Sequence, residues 1–440
     1  MLPTFSAVAR SLNRYSANTA LSRRLLRTLP VPADLAAVTD INAKSEGSPG
    51  KAGTTSKDVE AIWRAVEDLY CTGYYPAISL CLRRHGQVFL NRSIGYARGF
   101  GEAGGPAEPQ LMTTQTPVCL YSASKAVTAI LIHKLVDDGL IDLLDPVAHY
   151  IPEFAKHGKD SINILQILTH RGSVPGIHSE EHLSKLMKHD HQLKLICDAH
   201  PTDVHGRTQA YHAVTGGTIL QAILERVTGQ SISEYWNLNF KNPLGLKHFR
   251  YGATEREFQH MARDQFTGAK VAAPLRNYFR PFLGMDVERD RDFINNYAFF
   301  SEPVAAGNMI ATAEEASRFF QMLLDGGRYG ERQIVSSLAV HRATWETNPH
   351  RFDSVLKVPL RYSPGMMLGG SPVGLFGPET NQAFGHLGLI NIFVWADPQR
   401  DLSAALLTTG KPLIAHNLPQ LARLLYEINH RLPRRKTGRH

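Results

Sequence analysis

The stretch CLYSASKAVTAILIHKLVDDG, residues 119–139, places a serine at the start of a long helical pattern. An apolar run leads into Ser122, and a predicted amphipathic helix follows it and ends near Gly139. Lys125 lies one turn later on nearly the same helix face, so its amine and the serine hydroxyl can approach each other. The helix N-terminus favours a developing negative charge, and a partly desolvated lysine can act as a base. Ser122 and Lys125 are therefore candidates for a nucleophile and its base.

The spacing S-x-x-K does not single out this pair, because it occurs three times in the chain. The match at residues 48–51 lies in a Gly/Ser/Lys-rich segment, residues 39–58, that is predicted to be a flexible linker. The match at residues 354–357 follows charged residues and has no helix behind it. Helix position therefore favours Ser122, and a serine N-cap followed by an exposed lysine is the structural alternative.

Composition and charge indicate an ordinary globular protein. The chain has 440 residues, of which 43% are hydrophobic and 20% are charged. The net charge is +8, but residues 1–33 and 431–440 together carry +10, which leaves −2 for the body between them. Because the basic residues lie in the two tails, no nucleic-acid partner is predicted. No apolar run is long enough for a transmembrane helix, and the four widely spaced cysteines are expected to be buried free thiols.

The N-terminus has the pattern of a basic amphipathic helix, because Phe5, Val8, Leu12 and Tyr15 recur at three- and four-residue steps. Three interpretations remain open: a helix docked on the body, a helix on a membrane surface, and a mitochondrial presequence if the source is eukaryotic. The pattern does not resemble a secretory signal, so we expect a cytoplasmic protein with peripheral membrane contact through residues 1–30 as one option.

Strand patterns occur early and late in the chain, and helical patterns lie between them. Two strands flank a His-Gly turn near residue 85, and two more lie between residues 383 and 410. We therefore predict an α/β (α+β) fold, with a mainly antiparallel sheet flanked by helices and an inserted all-helical lobe. The expected units are a basic arm and linker (1–57), a catalytic domain (58–430) and a basic tail (431–440). Within the domain, residues 58–139 and 301–430 form the α/β lobe and residues 140–300 the helical lobe.

Three further motifs have the wrong surroundings. GFGEAG (residues 99–104) is followed by Gly and Pro rather than by a helix, which disfavours a dinucleotide site. HSEEH (residues 178–182) matches a metalloprotease spacing, but no third ligand is evident. KTG (residues 436–438) lies in the basic tail. None of the three predicts a cofactor or a metal.

Four segments in order give the chain a resemblance to serine hydrolases related to class C β-lactamases. They are YSASKAVTAILIHKLVDDGLIDLLDPVAHYIP, INILQILTHRGSVPG, YHAVTGGTILQAILERVTGQSISEYWNLNFKNPLGLKH and FGHLGLINIFVWADP. The resemblance as a whole covers roughly residues 60–430. The family includes esterases, D-amino-acid peptidases, carboxypeptidases and β-lactamases. The resemblance implies the β-lactamase/transpeptidase-like fold and a mechanism that needs no metal or organic cofactor.

The resemblance also assigns roles to individual residues. It implies that Ser122 is the nucleophile, that Lys125 is its partner, and that Tyr211 is the tyrosine of the second motif. We expect the charge of Lys125 to lower the pKa of Tyr211, so that this phenol can carry a proton to the leaving group. The segment His386, Leu387, Gly388 occupies the third-motif position. Gly388 would admit substrate to the strand edge, and the N–H groups of Leu389 and Ser122 would form the oxyanion hole.

Two departures from the family pattern bear on the substrate. Ala213 stands where the second motif commonly has asparagine, and His386 replaces the lysine that meets the carboxylate of a β-lactam. Both changes favour neutral esters, so we predict a carboxylesterase for short- to medium-chain esters. The alternatives are a β-lactamase or D-peptidase, an acyltransferase, and a catalytically silent binding or scaffold protein on the same fold. The sequence does not specify an oligomeric state.

Overall fold

The computed structural model describes residues 5–99, 108–177, 183–203, 205–283, 286 and 288–435. Its central feature is a ten-stranded sheet in which every paired strand runs antiparallel. The HSEEH and KTG motifs lie outside the described residues, as does GFGEAG apart from Gly99.

Of the strands that the structure describes, those of the large sheet come from both ends of the chain, as predicted, whereas Arg250–Tyr251 lies within residues 140–300, the segment predicted to be an all-helical lobe. In chain order they are β1 (Thr39–Ile41), β2 (Ala77–Arg84), β3 (Gln87–Arg98), β4 (Gln110–Leu111), β5 (Val118–Cys119), β6 (Arg250–Tyr251), β7 (Met309–Ala311), β8 (Arg328–Tyr329), β9 (Arg332–Gln333), β10 (Asn348–Phe352), β11 (Pro359–Tyr362), β12 (Met367–Leu368), β13 (Val373–Gly374), β14 (Gly377–Pro378), β15 (Phe384–Gly388), β16 (Ile392–Asp397) and β17 (Leu402–Thr408). The large sheet has the order β1-β3-β2-β17-β16-β15-β12-β11-β10, with β4 paired to β3. A three-stranded sheet, β5-β7-β6, lies beside it.

Helices cover both faces of the large sheet. In chain order they are α1 (Phe5–Ala17), α2 (Ala20–Leu25), α3 (Ser56–Tyr70), α4 (Ser124–Asp137), α5 (Val147–Tyr150), α6 (Ile164–Leu168), α7 (Leu183–Leu186), α8 (His189–Asp198), α9 (Thr215–Thr228), α10 (Ile232–Trp236), α11 (Glu255–His260), α12 (Ala273–Leu283), α13 (Tyr297–Phe300), α14 (Ala313–Leu324), α15 (Ser337–Thr344) and α16 (Leu418–Arg431). The mixed fold of antiparallel sheet and helices confirms the predicted fold class.

Side chains alternate between the two faces along β2, because successive residues of a strand point to opposite sides. Ile78, Leu80 and Leu82 join a core shared with α3 and α16. Ala77 and Cys81 join the larger core shared with α4 and α14. The sheet is therefore the middle layer of the molecule, and α4 lies on the same side as the larger core.

Helix α4 is buried on nearly all sides, which corrects the prediction that it is amphipathic. Every residue from Ser124 to His133 is buried. His133 contacts the carbonyl of Pro364 through Nε2 at 2.8 Å, so even a polar side chain here is packed inside. A helix that is buried on all of its faces is typical of a protein core. Helix α4, which begins just after Ser122, therefore runs through the core of the molecule.

The segment predicted to be a flexible linker is instead part of the body. Thr39–Ile41 forms strand β1, which pairs with β3, and Pro49–Ala52 forms a short 3-10 helix. Glu46 forms an ion pair with Arg92 at 2.9 Å. Glycine and serine content predicted flexibility, but edge-strand pairing and charge contacts hold this segment against the sheet. Among the described residues, no helix has both the length and the hydropathy needed to span a bilayer.

Candidate active site

Ser122 lies in a 3-10 turn, Tyr121–Ala123, that connects β5 to α4. The turn is attached to the small sheet, because the N–H of Leu120 donates to the carbonyl of Met309 at 2.8 Å. Ser124 fixes the start of α4 by accepting the N–H of Met309 at 3.1 Å. The sequence therefore places Ser122 correctly at the N-terminus of a helix, where a developing negative charge is favoured.

Lys125 lies beside Ser122, as the spacing predicted. Its Nζ is 3.1 Å from Ser122 Oγ and donates to the carbonyl of Ala306 at 3.0 Å. Burial lowers the pKa of Lys125 to about 7. Gly217 on α9 permits this contact, because a Cβ there would lie 2.6 Å from the backbone nitrogen of Ala306. A large fraction of Lys125 is therefore neutral near pH 7 and can accept a proton.

Tyr211 lies in the same cluster, with its ring centre 5.0 Å from Lys125 Nζ. Burial raises the pKa of Tyr211 well above its usual range, and a hydrogen bond with Ser122 offsets this only in part. The expectation that the pKa of this phenol is lowered is wrong, because desolvation and the nearby Asp353 carboxylate raise it, and the pKa of Lys125 is itself lowered to about 7. Tyr211 is therefore a neutral phenol that can pass a proton without first ionising.

His386 lies near Tyr211 but is not among the described residues that line the cavity. Its ring centre is 6.4 Å from that of Tyr211, and its Nδ1 is 2.7 Å from the carbonyl of Leu387, to which it would donate. Burial and the charge of Lys125 lower the pKa of His386 to about 3. The third-motif histidine is therefore neutral and does not supply a cation for a substrate carboxylate.

Gly388 allows the end of β15 to lie against the residues that lead into the Ser122 turn. A Cβ at Gly388 would lie 2.3 Å from the carbonyl oxygen of Leu120, so only glycine fits this contact. Leu389 follows directly after β15, and Gly388, Leu389 and Ser122 all line one cavity. The assignment of the Leu389 and Ser122 N–H groups as an oxyanion hole is consistent with this arrangement and stays a prediction.

Two residues that support Tyr211 were not singled out from the sequence. Asp353 accepts the N–H groups of Tyr211 at 3.2 Å, Val355 at 2.9 Å and Leu356 at 2.8 Å. The ring of His170, in the second of the four family-like segments, lies 4.8 Å from the ring of Tyr211. No sequence pattern marks Asp353, because its partners come from a turn and a distant segment.

The cavity in front of Ser122 has a volume of about 220 Å³ and an apolar wall. Ala213 lies in this wall, so no amide side chain occupies the second-motif position. None of the described residues that line it is Asp, Glu, Lys or Arg. Its apolar side chains are Leu183, Met187, Val214, Phe293, Ile294, Phe299, Val304, Leu356, Met367, Leu387, Leu389 and Ile390. The site therefore combines the predicted nucleophile Ser122 and its predicted base Lys125 with a largely apolar cavity.

Comparisons with known proteins place these features in a wider group. The family model described as Beta-lactamase matches residues 62–426. The esterase/beta-lactamase LipL of Mycobacterium tuberculosis is 27% identical over 305 residues, which cover 65% of this chain and 68% of LipL. An N-acetylmuramyl-L-alanine amidase of Bacillus subtilis is 23% identical over 373 residues, covering 81% of this chain and 82% of that protein. The crystal structure of a family VIII carboxylesterase superposes with a TM-score of 0.71 at 22% identity and covers 85% of this chain and 98% of its own.

Proposed function

Because the chain belongs to the beta-lactamase family, whose members here are serine hydrolases, we propose that it hydrolyses short- to medium-chain carboxylic esters through an acyl-enzyme on Ser122. The observation that carries this proposal is the pairing, at 3.1 Å, of a buried Lys125 with Ser122, which lines an apolar cavity. LipL is named as an esterase and the family VIII structure as a carboxylesterase, and both names support the proposed ester substrate.

In the proposed acylation, Ser122 Oγ bonds to the ester carbonyl carbon while its proton passes to neutral Lys125. The carbonyl electron pair moves to oxygen, where the N–H groups of Ser122 and Leu389 would hold the oxyanion. One such donor contributes about 3 kcal/mol of barrier lowering. The intermediate collapses, the bond to the alkoxy oxygen breaks, and the alcohol leaves with the proton relayed through Tyr211.

In the proposed deacylation, a water molecule attacks the acyl carbon and gives its proton to neutral Lys125 through Tyr211. The bond between the acyl carbon and Ser122 Oγ then breaks, and the proton returns to Ser122. The products are the free carboxylic acid and the starting enzyme. A neutral Tyr211 suits both half-reactions, because it can donate to one group while accepting from another.

The side chains that line the cavity favour a neutral substrate over an anionic one. A β-lactam antibiotic or a peptide C-terminus would bring a carboxylate into a site where the described lining residues offer no cation. Burying an unpaired carboxylate is costly, whereas burying an acyl chain against apolar side chains is favourable. Ala213 and the neutral His386 are the two sequence departures that produce this difference.

A substrate panel tests the proposal against its rivals. We expect p-nitrophenyl esters from acetate to octanoate to be hydrolysed with a kcat/KM at least about a hundredfold above that for nitrocefin or a D-alanyl-D-alanine peptide. Comparable turnover of nitrocefin would instead assign a β-lactamase. If the acyl group is transferred to an added alcohol faster than to water, the protein is an acyltransferase. If none of these substrates is turned over, the result favours the alternative of a catalytically silent binding protein.

We also propose that residues 1–30 contact a membrane surface. Helix α1 docks on the body through its polar side, where Arg10 forms ion pairs with Glu67 and Asp68 at 2.6 Å each. Its apolar side faces outward, because Val8, Leu12 and Tyr15 are 42%, 63% and 75% exposed. A helix stabilised only by the body would bury those side chains, so this orientation favours a partner outside the body.

Charge supports an anionic lipid surface as that partner. Leu21 and Leu25 of α2 are 67% and 56% exposed, and the exposed Arg23 and Arg24 lie between them in the sequence. Residues 1–33 contain no acid. Apolar side chains flanked by arginines are typical of helices that lie in the interface of anionic bilayers.

Vesicle co-sedimentation tests the membrane contact. The full chain should bind vesicles of phosphatidylcholine and phosphatidylglycerol more tightly than vesicles of phosphatidylcholine alone, and the double variant Leu12→Asp, Tyr15→Asp should lose this binding. Leu338→Asp, which changes a leucine that is 64% exposed on α15, is the matched control. Unchanged binding of the double variant would refute the proposal, and a dimer that this variant dissociates would assign the surface to a second copy. N-terminal sequencing of the mature protein distinguishes the mitochondrial alternative, which requires removal of the arm.

A further inference from the structure

Tyr121, the residue directly before the proposed nucleophile, has an unusual backbone conformation. Its φ is +46°, in the left-handed region that favours glycine. It lies where the chain turns from β5 into α4, so its backbone angles set the direction in which Ser122 leaves the strand. A large side chain remains in this region only where its surroundings enforce the conformation.

Two buried charged residues hold the side chain of Tyr121. Its hydroxyl donates to Asp264 Oδ2 at 2.6 Å. Asp264 Oδ1 lies 2.9 Å from Lys411 Nζ, and the two side chains are 3% and 0% exposed. Lys411 Nζ also lies 5.2 Å from the centre of the Tyr121 ring. The three side chains therefore form one closed group of contacts.

This group is anchored to the rest of the fold at both ends. Asp264 and Asn295 exchange two hydrogen bonds, one from the N–H of Asp264 at 3.0 Å and one from Nδ2 of Asn295 at 2.7 Å. The N–H of Lys411 donates to the carbonyl of Gln265 at 2.8 Å, just beyond β17. Backbone bonds thus fix the positions of both charges.

The catalytic steps given above do not use this ion pair. Burying two charges is costly even when they pair, so a buried pair is weak evidence for stability alone. The group does, however, contact the residue whose backbone aims Ser122. The ring of Tyr121 also lines the cavity and stacks on Phe299 with ring centres 6.2 Å apart, which links the turn to the cavity wall.

We propose that Asp264 and Lys411 are positioning residues that hold Tyr121 in its left-handed conformation and thereby aim Ser122 at the substrate carbonyl. This inference rests on the proposed role of Ser122. Neither charged residue bonds to Ser122 itself; both act through the hydroxyl and ring of Tyr121. The arrangement allows a bulky residue to serve in a turn where glycine would fit without support, and to form part of the binding wall as well.

The variant Tyr121→Phe tests the hydroxyl contact while keeping the ring. We expect kcat for a short acyl ester, and the rate at which a fluorophosphonate probe labels Ser122, to fall about tenfold, with KM changed by less than about twofold. Tyr235→Phe is the matched control, because it removes another tyrosine-to-aspartate hydrogen bond, to Asp138 at 3.4 Å, away from the turn. An unchanged kcat in Tyr121→Phe would overturn the inference, whatever its thermal stability.

A second pair of variants separates positioning from general stability. Asp264→Asn should lower kcat in the wild-type background but add little in a Tyr121→Gly background, because glycine adopts the conformation unaided. Equal losses in both backgrounds would refute the inference. If the wild-type enzyme is not labelled on Ser122, the proposed function fails; if it is labelled and Tyr121→Phe reacts equally fast, only the positioning role fails.

Discussion

Lys125 is the residue whose environment matters most for the proposed chemistry. Burial alone accounts for its lowered pKa, and its hydrogen bonds go to a serine hydroxyl and a backbone carbonyl. A carboxylate beside it would favour the ammonium form and remove the base. The same side chain is therefore useful for catalysis and unfavourable for folding, and each consequence can be measured.

The first consequence is a pH dependence of catalysis. With neutral Lys125 as the proposed base and its pKa lowered by burial to about 7, kcat/KM for a neutral ester should rise with pH and level off above about pH 8. Tyr211 should not produce a falling limb near neutrality, since burial raises its pKa. Initial rates measured with one ester across the pH range check this. An apparent pKa near the usual lysine value of about 10.4 would contradict it.

The second consequence concerns stability. The pKa of Lys125 is lower in the folded than in the unfolded state, so its destabilising effect is full below about pH 7 and disappears as the pH rises through about 10.4. Lys125→Met should therefore raise the free energy of unfolding by about 1–3 kcal/mol at pH 7. Urea unfolding at several pH values measures this. Lys134→Met, on the same helix but ion-paired with Asp138, is the control. A less stable Lys125→Met protein would contradict the account.

At the scale of elements, the close contact between β15 and the turn that contains Ser122 bears on the geometry of the proposed site. A Cβ on Gly388 would meet the Leu120 carbonyl at 2.3 Å and the Ile392 side chain at 2.9 Å. Gly388→Ala should therefore lower stability by about 1–3 kcal/mol and kcat/KM by at least about tenfold, because strand and turn must separate. Gly176→Ala is the control, since a Cβ there meets no atom within 4 Å. Activity and melting temperature measure both effects, and an active, stable Gly388→Ala enzyme would contradict the proposed geometry.

Elements with strong local patterns could be predicted from the sequence. Strands β2 and β3 lie on either side of a His-Gly turn, a pattern typical of a hairpin. Helix α14 begins with a capping box, in which the side chains of Thr312 and Glu315 each accept the backbone N–H of the other. The prediction of a flexible linker at residues 39–58 was wrong, because Thr39–Ile41 pairs with β3 and amino-acid composition does not reveal such a contact. The prediction that α4 is amphipathic was wrong, because other parts of the fold cover both of its faces.

The same distinction applies to the candidate site. Ser122 and Lys125 are one helical turn apart, so the geometry of a single helix predicts their contact. Tyr211 and Gly388 are distant in sequence, and only the resemblance to a family brought them into the site. The raised pKa of Tyr211 could not be predicted, because it depends on burial by the whole fold. Asp353 carries no sequence signal at all.

At the scale of the molecule, the sheet assembles the site from separate parts of the chain. The turn with Ser122 follows the early strands, Tyr211 precedes α9, and β15 belongs to the late strands. The two basic tails also bind the body: Arg10 pairs with Glu67, and Arg434 pairs with Glu379 at 3.2 Å. Part of the positive charge of the tails is therefore neutralised by acidic residues of the body. The net charge of the chain for this reason says little about which ligand it binds.

Detection of a covalent intermediate tests the central claim most directly. We predict that acid quenching during turnover of p-nitrophenyl butyrate, followed by intact mass measurement and peptide mapping, gives a butyryl adduct on the peptide containing Ser122. The variant Ser122→Ala should show neither adduct nor turnover, while its folding is unchanged. Turnover by Ser122→Ala, or an adduct on any other residue, would contradict the account.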